Sequence, residues 1–238
     1  EQTDGVLVKR VAHGGSAHHM LEPGDVLLAI EGEPVAADGT VELRDGELVH
    51  YRYFVSRRHV GDRLPVTVWR HRQELTCMLE LRPPAYLVAE ERYDVRPSYY
   101  IVGGLLFVPL TRDFLKTWGE QWWQTAPREM VTLYETGIRT ADSVEPVVLQ
   151  KVLAHRVNQG YHDLESLLIE SYCGEPVRSL AHLVELVEAR SDEPYLEFHA
   201  SDGTSVVLER ADAMARNKAI LRKYRVRHDR SEELRTKS

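Results

Sequence analysis

The tetrapeptide Gly-Glu-Pro-Val occurs twice, at residues 32–35 and 174–177, each time behind an apolar stretch. No other feature limits the fold as much. Glycine supplies the positive φ that a tight turn needs, and proline fixes φ on the way out. Each copy therefore reads as a corner that ends a buried strand and hands the chain toward a helix. The first corner is preceded by a second turn, Pro23-Gly24-Asp25, so residues 26–30 (Val-Leu-Leu-Ala-Ile) form one short strand between turns. A recurring corner implies a recurring module.

The signals around the two copies agree. Ahead of the first, residues 5–11 read as a strand and 16–21 as a short helix or turn. After it, residues 38–46 are polar and turn-rich. Leu48, Tyr51 and Val55 recur at helical spacing and predict a helix over 47–58. Val66 and Val68 alternate with Thr67 and Trp69, residues 70–74 form a charged turn, and residues 75–81 return as a strand. Around the second copy, an apolar opening over 98–111 leads to an aromatic, polar insert that contains helix. Residues 147–153 and 167–172 read as strands. Ser179 stands at an N-cap position before Leu180, Leu183, Val184 and Val187, the i, i+3, i+4, i+7 stripe of an amphipathic helix. Residues 195–199 and 205–209 pair across Asp202-Gly203, and a last helix spans 211–224. The expected class is α+β, mainly antiparallel β, in two partly open β-barrels with flanking helices. The expected domains are 1–82 and 98–225. The linker over 83–97 begins at Pro83-Pro84, which neither a helix nor a central strand accommodates, and residues 226–238 form a polar tail.

With 238 residues, 43 % of them hydrophobic and 28 % charged, both halves can bury a core. The net charge of -7 argues against nucleic acid as main partner, since phosphate binding needs clustered positive charge. The basic residues from Arg222 to Arg230 are mixed with acids and read as a solvated tail. Cys77 and Cys173 make neither a disulfide framework nor a four-ligand zinc site. His13, His18 and His19 have no carboxylate or cysteine at ligand spacing, so no metal and no cofactor is expected. Asp25 and Asp62 follow glycine in turns and read as structural. The longest uncharged run, residues 97–111, is fifteen residues and contains Gly and Pro, short of the about twenty that a membrane span needs.

Several stretches resemble a known family. A strand like Gly-Val-Leu-Val-Lys-Arg-Val (5–11) leads to a small-residue helix like residues 14–21, then to Pro-Gly-Asp, a strand and a Gly-x-Pro-Val corner. Here Glu31 stands where the family carries Asn. The order is similar to the permuted PDZ domains of HtrA/Deg serine proteases. Residues 98–115 and 38–62 resemble the tandem PDZ region of the Deg branch known from plant organelles and nuclei. The resemblance implies a non-catalytic regulatory region of a serine endopeptidase concerned with protein quality control. The family's nucleophile loop, Gly-Asn-Ser-Gly-Gly, has no counterpart in the chain. It further implies that protein or peptide C-termini add to a strand edge while backbone N–H groups clamp the carboxylate. The implied clamp is Ile101, Val102, Gly103, Gly104, Leu105, Leu106 and Phe107, and the implied groove wall is Leu180, Leu183, Val184 and Val187. Trp118, Trp122 and Trp123 form a candidate interface with like subunits in a homo-oligomer. The family's clamp for the first domain precedes residue 5, so that domain is expected to be N-terminally incomplete. Two other readings stay open: a free-standing tandem-PDZ adaptor, and a metal-dependent hydrolase built on the three histidines.

Overall fold

The computed structural model describes residues 4–44, 46–91 and 94–235. Contacts divide the chain into two units, Glu1–Tyr86 and Leu87–Ser238. Short apolar runs between tight turns make strands, and the first unit contains β1 (Val6–Leu7), β2 (Val26–Ile30), β3 (Glu33–Pro34), β4 (Thr40–Arg44), β5 (Glu47–His50), α1 (Arg52–Ser56), β6 (Arg63–Arg70) and β7 (Gln73–Glu80). An antiparallel sheet runs β1-β2-β6-β7, with β3 folded back on β2, and β4 and β5 form a separate hairpin. In β6 the two-residue period decides what is inside: Leu64, Val66 and Val68 are buried, while Trp69 faces out.

The helix expected over 47–58 is mostly absent. Residues 47–50 are β5, and only the five residues of α1 are helical. Val41 pairs with Val49 across the hairpin, and Phe54 rather than Val55 enters the core. Leu48 is 64 % exposed, so the helical spacing did not mark a buried face. Pairing with the neighbouring strand β4 overrode a weak periodic signal. The strand expected over 5–11 is likewise reduced to β1, with Val8 adding two further bonds, its N–H to the Asp25 carbonyl and its carbonyl from Gly24 N, both at 2.8 Å.

The second unit contains β8 (Tyr100–Val102), β9 (Leu105–Pro109), α2 (Arg112–Leu115), α3 (Trp122–Thr125), α4 (Arg128–Thr136), β10 (Val147–Val152), β11 (Glu165–Tyr172), β12 (Glu175–Pro176), α5 (Leu180–Ala189), β13 (Tyr195–Ala200), β14 (Ser205–Glu209) and α6 (Arg210–Lys223). Its sheet runs β14-β13-β11-β10-β9-β8, all antiparallel, with β12 on β11. Alternation supplies two apolar faces. Phe107, Leu149 and Phe198 join α5 in one core, while Val108, Val148 and Leu168 join α2, α3 and α4 in another.

Two boundaries differ from the expectation. Leu87 and Val88 are buried, and the Ala89 carbonyl accepts from Arg112 N at 2.9 Å, so this part of the supposed linker belongs to the second unit. The supposed polar tail is anchored through residues 229–231, as described below. Residues 92–93 of the expected linker, 236–238 of the expected tail, 1–3 and Asp45 lie outside the described residues.

The two corners coincide in detail. Glu31-Gly32 (φ 54° and 87°) and Cys173-Gly174 (φ 46° and 78°) are both two-residue turns with positive φ throughout, the type I′ pattern. Pro34 lies opposite Ala29, and Pro176 opposite Ser171. Val35 N donates to Leu28 O at 2.8 Å, and Val177 N to Glu170 O at 2.8 Å. Beyond this point the chain takes different paths, to the β4–β5 hairpin in the first unit and directly to α5 in the second.

Candidate functional site

The expected groove lies where α5 faces β9. The Ser179 hydroxyl accepts from His182 N at 3.1 Å and fixes the start of α5. At the far end the Arg210 side chain donates to Val187 O (3.1 Å), to Glu193 O (2.8 Å) and to the Tyr172 hydroxyl. One guanidinium thereby satisfies a carbonyl that the helix end leaves open, Val187 O, and one in the loop that follows, Glu193 O. Between these anchors Leu180, Leu183, Val184 and Val187 are all buried, packed in one core with Tyr100, Val102, Leu105 and Phe107. Each such side chain contributes about 1.5–3 kcal/mol by leaving water. None of the four presents an open wall.

The segment of the expected carboxylate clamp, 101–107, forms a β-hairpin. Gly103 and Gly104 take φ of 57° and 84° and close β8 onto β9 with register Val102↔Leu105 and Tyr100↔Phe107. The physical reason is the same type I′ chemistry as at the two corners: Gly-Gly meets its requirement at both positions. The turn is buried and filled. Asn158 Nδ2 donates to Gly103 O and to Leu153 O, both at 2.9 Å, and Leu153 N donates to Gly104 O at 2.7 Å. A Cβ on Gly103 would stand 2.7 Å from Leu208 Cδ1, and one on Gly104 2.7 Å from Leu153 O.

A peptide that adds as a strand needs an unpaired edge. β9 has β10 on one side and β8 on the other. The outer edge of β8 is also occupied: Ile101 N donates to Asp229 O at 2.6 Å, and Ser231 N to Tyr99 O at 3.0 Å. A cavity of about 210 Å³ opens on the other face of the sheet, beside Val108, Pro109 and Phe114.

The PDZ domain family matches residues 88–233. The chain belongs to the PDZ domain family. Over 97 % of its length it is 31 % identical to "Protease Do-like 2, chloroplastic" of Arabidopsis thaliana, covering 37 % of that protein. It is 28 % identical to "Putative protease Do-like 11, mitochondrial" (94 % of this chain, 35 % of that one) and 29 % to "Protease Do-like 4, mitochondrial" (93 % and 40 %), both of the same organism. The chain thus spans little more than a third of the length of these relatives.

Within the PDZ domain the tryptophans separate. Trp122 is buried edge-on to Tyr134 at 5.2 Å, Trp118 is half-buried against Phe114 at 5.2 Å, and Trp123 is 50 % exposed. The candidate interface of three tryptophans is therefore one exposed ring on a packed insert. Asn158 and residues 229–231, which close the hairpin and its edge, escaped sequence reading. Their partners lie 55 and 132 positions away, and no local pattern announces them.

In the first unit, β1 ends the sheet with Leu7 54 % exposed, and no strand lies beyond it among the described residues. Asp25 accepts from Arg70 Nε (2.7 Å) and Nη2 (2.6 Å) and from Glu22 N (2.9 Å). The Arg70 guanidinium holds this carboxyl below the usual range. Asp62 accepts from His59 N at 2.9 Å. Both carboxylates organise turns. The His13 and His18 rings meet edge-on with centroids 4.3 Å apart, and His18 and His19 lie tilted at 3.7 Å. Desolvation, then His19 and His13, hold His18 below its ordinary value. Among the described residues no three His, Cys, Asp or Glu side chains are arranged to hold a metal ion, and no helix is long and apolar enough to cross a membrane.

Proposed function

We propose that the chain is the non-catalytic PDZ region of a Do-like serine endopeptidase, and that its second unit holds like subunits together rather than capturing free C-termini. The observation that carries this reading is the double closure of β9: β8 lies on the edge where a ligand strand would add, and the α5 stripe that would wall the groove is core. The relatives' names support the protease as parent. The recurring corner, together with relatives that match across it, supports a second PDZ-like domain in the first unit.

A library of peptides with free C-termini, titrated into the chain and followed by fluorescence anisotropy, tests the reading, with amidated peptides as control. No saturable, amidation-sensitive binding at the second unit is expected up to about 100 μM. Micromolar binding that is lost on amidation, and lost again in Gly104→Trp, would show a working clamp and overturn it.

A further inference from the structure

The segment behind α6 returns to the β8 edge and fills it as a strand would. Asp229 O accepts from Ile101 N at 2.6 Å, Ser231 N donates to Tyr99 O at 3.0 Å, and Tyr99 N donates to the Ser231 hydroxyl at 3.1 Å. Between these bonds Arg230 enters a cation pocket. Its Nη1 lies 2.6 Å from Glu188 Oε1 of α5, and its guanidinium stands 5.2 Å over the Tyr100 ring. The edge therefore specifies an extended segment with an arginine at one defined position.

The connection that brings this segment back is strained. α6 ends with Val226 N donating to Leu221 O at 2.9 Å, and Arg225 carries φ 58°. This is the helix-end position that glycine normally fills, and arginine adopts it only at a cost. A chain that straightened at Arg225 would relieve that strain and carry residues 226–235 away from their own β8. The bonds it gave up are available, unchanged, on the β8 edge of an identical copy.

We propose that residues 226–235 exchange between two copies of the chain, each copy seating its Arg230 in the Glu188–Tyr100 pocket of the other. This rests on the assembly reading above and names its interface. The occupant is a second copy because its segment matches the edge bond for bond and the pocket charge for charge.

Light scattering on the full chain, with variants at the hinge and at the pocket, tests the exchange. Arg225→Pro excludes the left-handed conformation and is expected to tighten the dimer about tenfold, while Arg225→Gly removes the strain and weakens it by a similar factor. Glu188→Arg and Arg230→Glu each mismatch the pocket and leave the rest of the fold untouched. Mixed one to one, they pair correctly only across two copies, so native mass spectrometry should show a heterodimer where each alone is monomeric. A mixture that stays monomeric overturns the exchange. Self-association that is equal in all variants also overturns it and leaves the assembly reading standing. If neither wild type nor any variant self-associates, both fall.

Discussion

The two Gly-Glu-Pro-Val corners have the same turn, the same register and the same 2.8 Å bond behind the valine, yet the strands they frame end differently. In the first unit no strand lies beyond β1 among the described residues, and the helix has five residues and buries only Phe54. In the second, β9 is enclosed by β8 and β10 and covered by a ten-residue helix with six buried residues. Turn chemistry reproduces a corner wherever its residues recur. Whether the sheet beside it is open depends on segments far away in sequence, here the Gly103-Gly104 hairpin and residues 229–231.

The largest effect that would break this comparison lies in the first unit. Asp25→Ala removes the carboxylate on which Arg70 and the Glu22 amide converge and should destabilise the first unit while leaving the second unchanged. Urea titration followed by probes in each unit checks this. Because Asp25 is held below the usual carboxylate range when folded, its contribution is complete at neutral pH. It is lost as pH falls through that depressed value, so wild type and variant should converge in acid.

The next effect separates two glycines that share a positive φ. At Gly32 an added Cβ meets nothing within 4 Å, so Gly32→Ala should cost only the backbone term, about 1 kcal/mol. At Gly104 the same change also drives Cβ into Asn158 and the Leu153 carbonyl, and should cost about 3 kcal/mol. Equal losses at the two positions would mean that the hairpin turn is not packed as described.

The smallest effect is pH dependence near neutrality. His18 in the first unit and His182 in the second are both held below their ordinary value, His182 chiefly by burial and then by Arg178. A histidine lowered in the folded state favours its neutral form, so stability is full above about pH 6.5 and falls as pH drops below it. His18→Gln should flatten that slope in the first unit alone, as read from thermal melts between pH 7 and 5.

What could be read from the sequence was local. The corners, the β6–β7 and β13–β14 hairpins, the Ser179 cap and the α5 stripe each rest on residues within a few positions of one another. The site was not local. Gly103-Gly104 belongs equally to an open clamp and to a closed hairpin, and only Asn158, Leu153 and Leu208 decide between them. Arg230 looked like part of a solvated tail because Glu188 and Tyr100, which hold it, are 42 and 130 positions away.

Closure of the second unit is tested most directly by amide hydrogen exchange in β8 and β9. If β8 is a permanent part of the sheet, the amides of Tyr100 and Val102, which face β9, should exchange only through global unfolding of the unit, as slowly as those of β10 and β11. Exchange of these two amides many-fold faster, with β10 and β11 still protected, would show that β8 lifts from β9 and leaves an edge for a ligand strand, and would contradict the account.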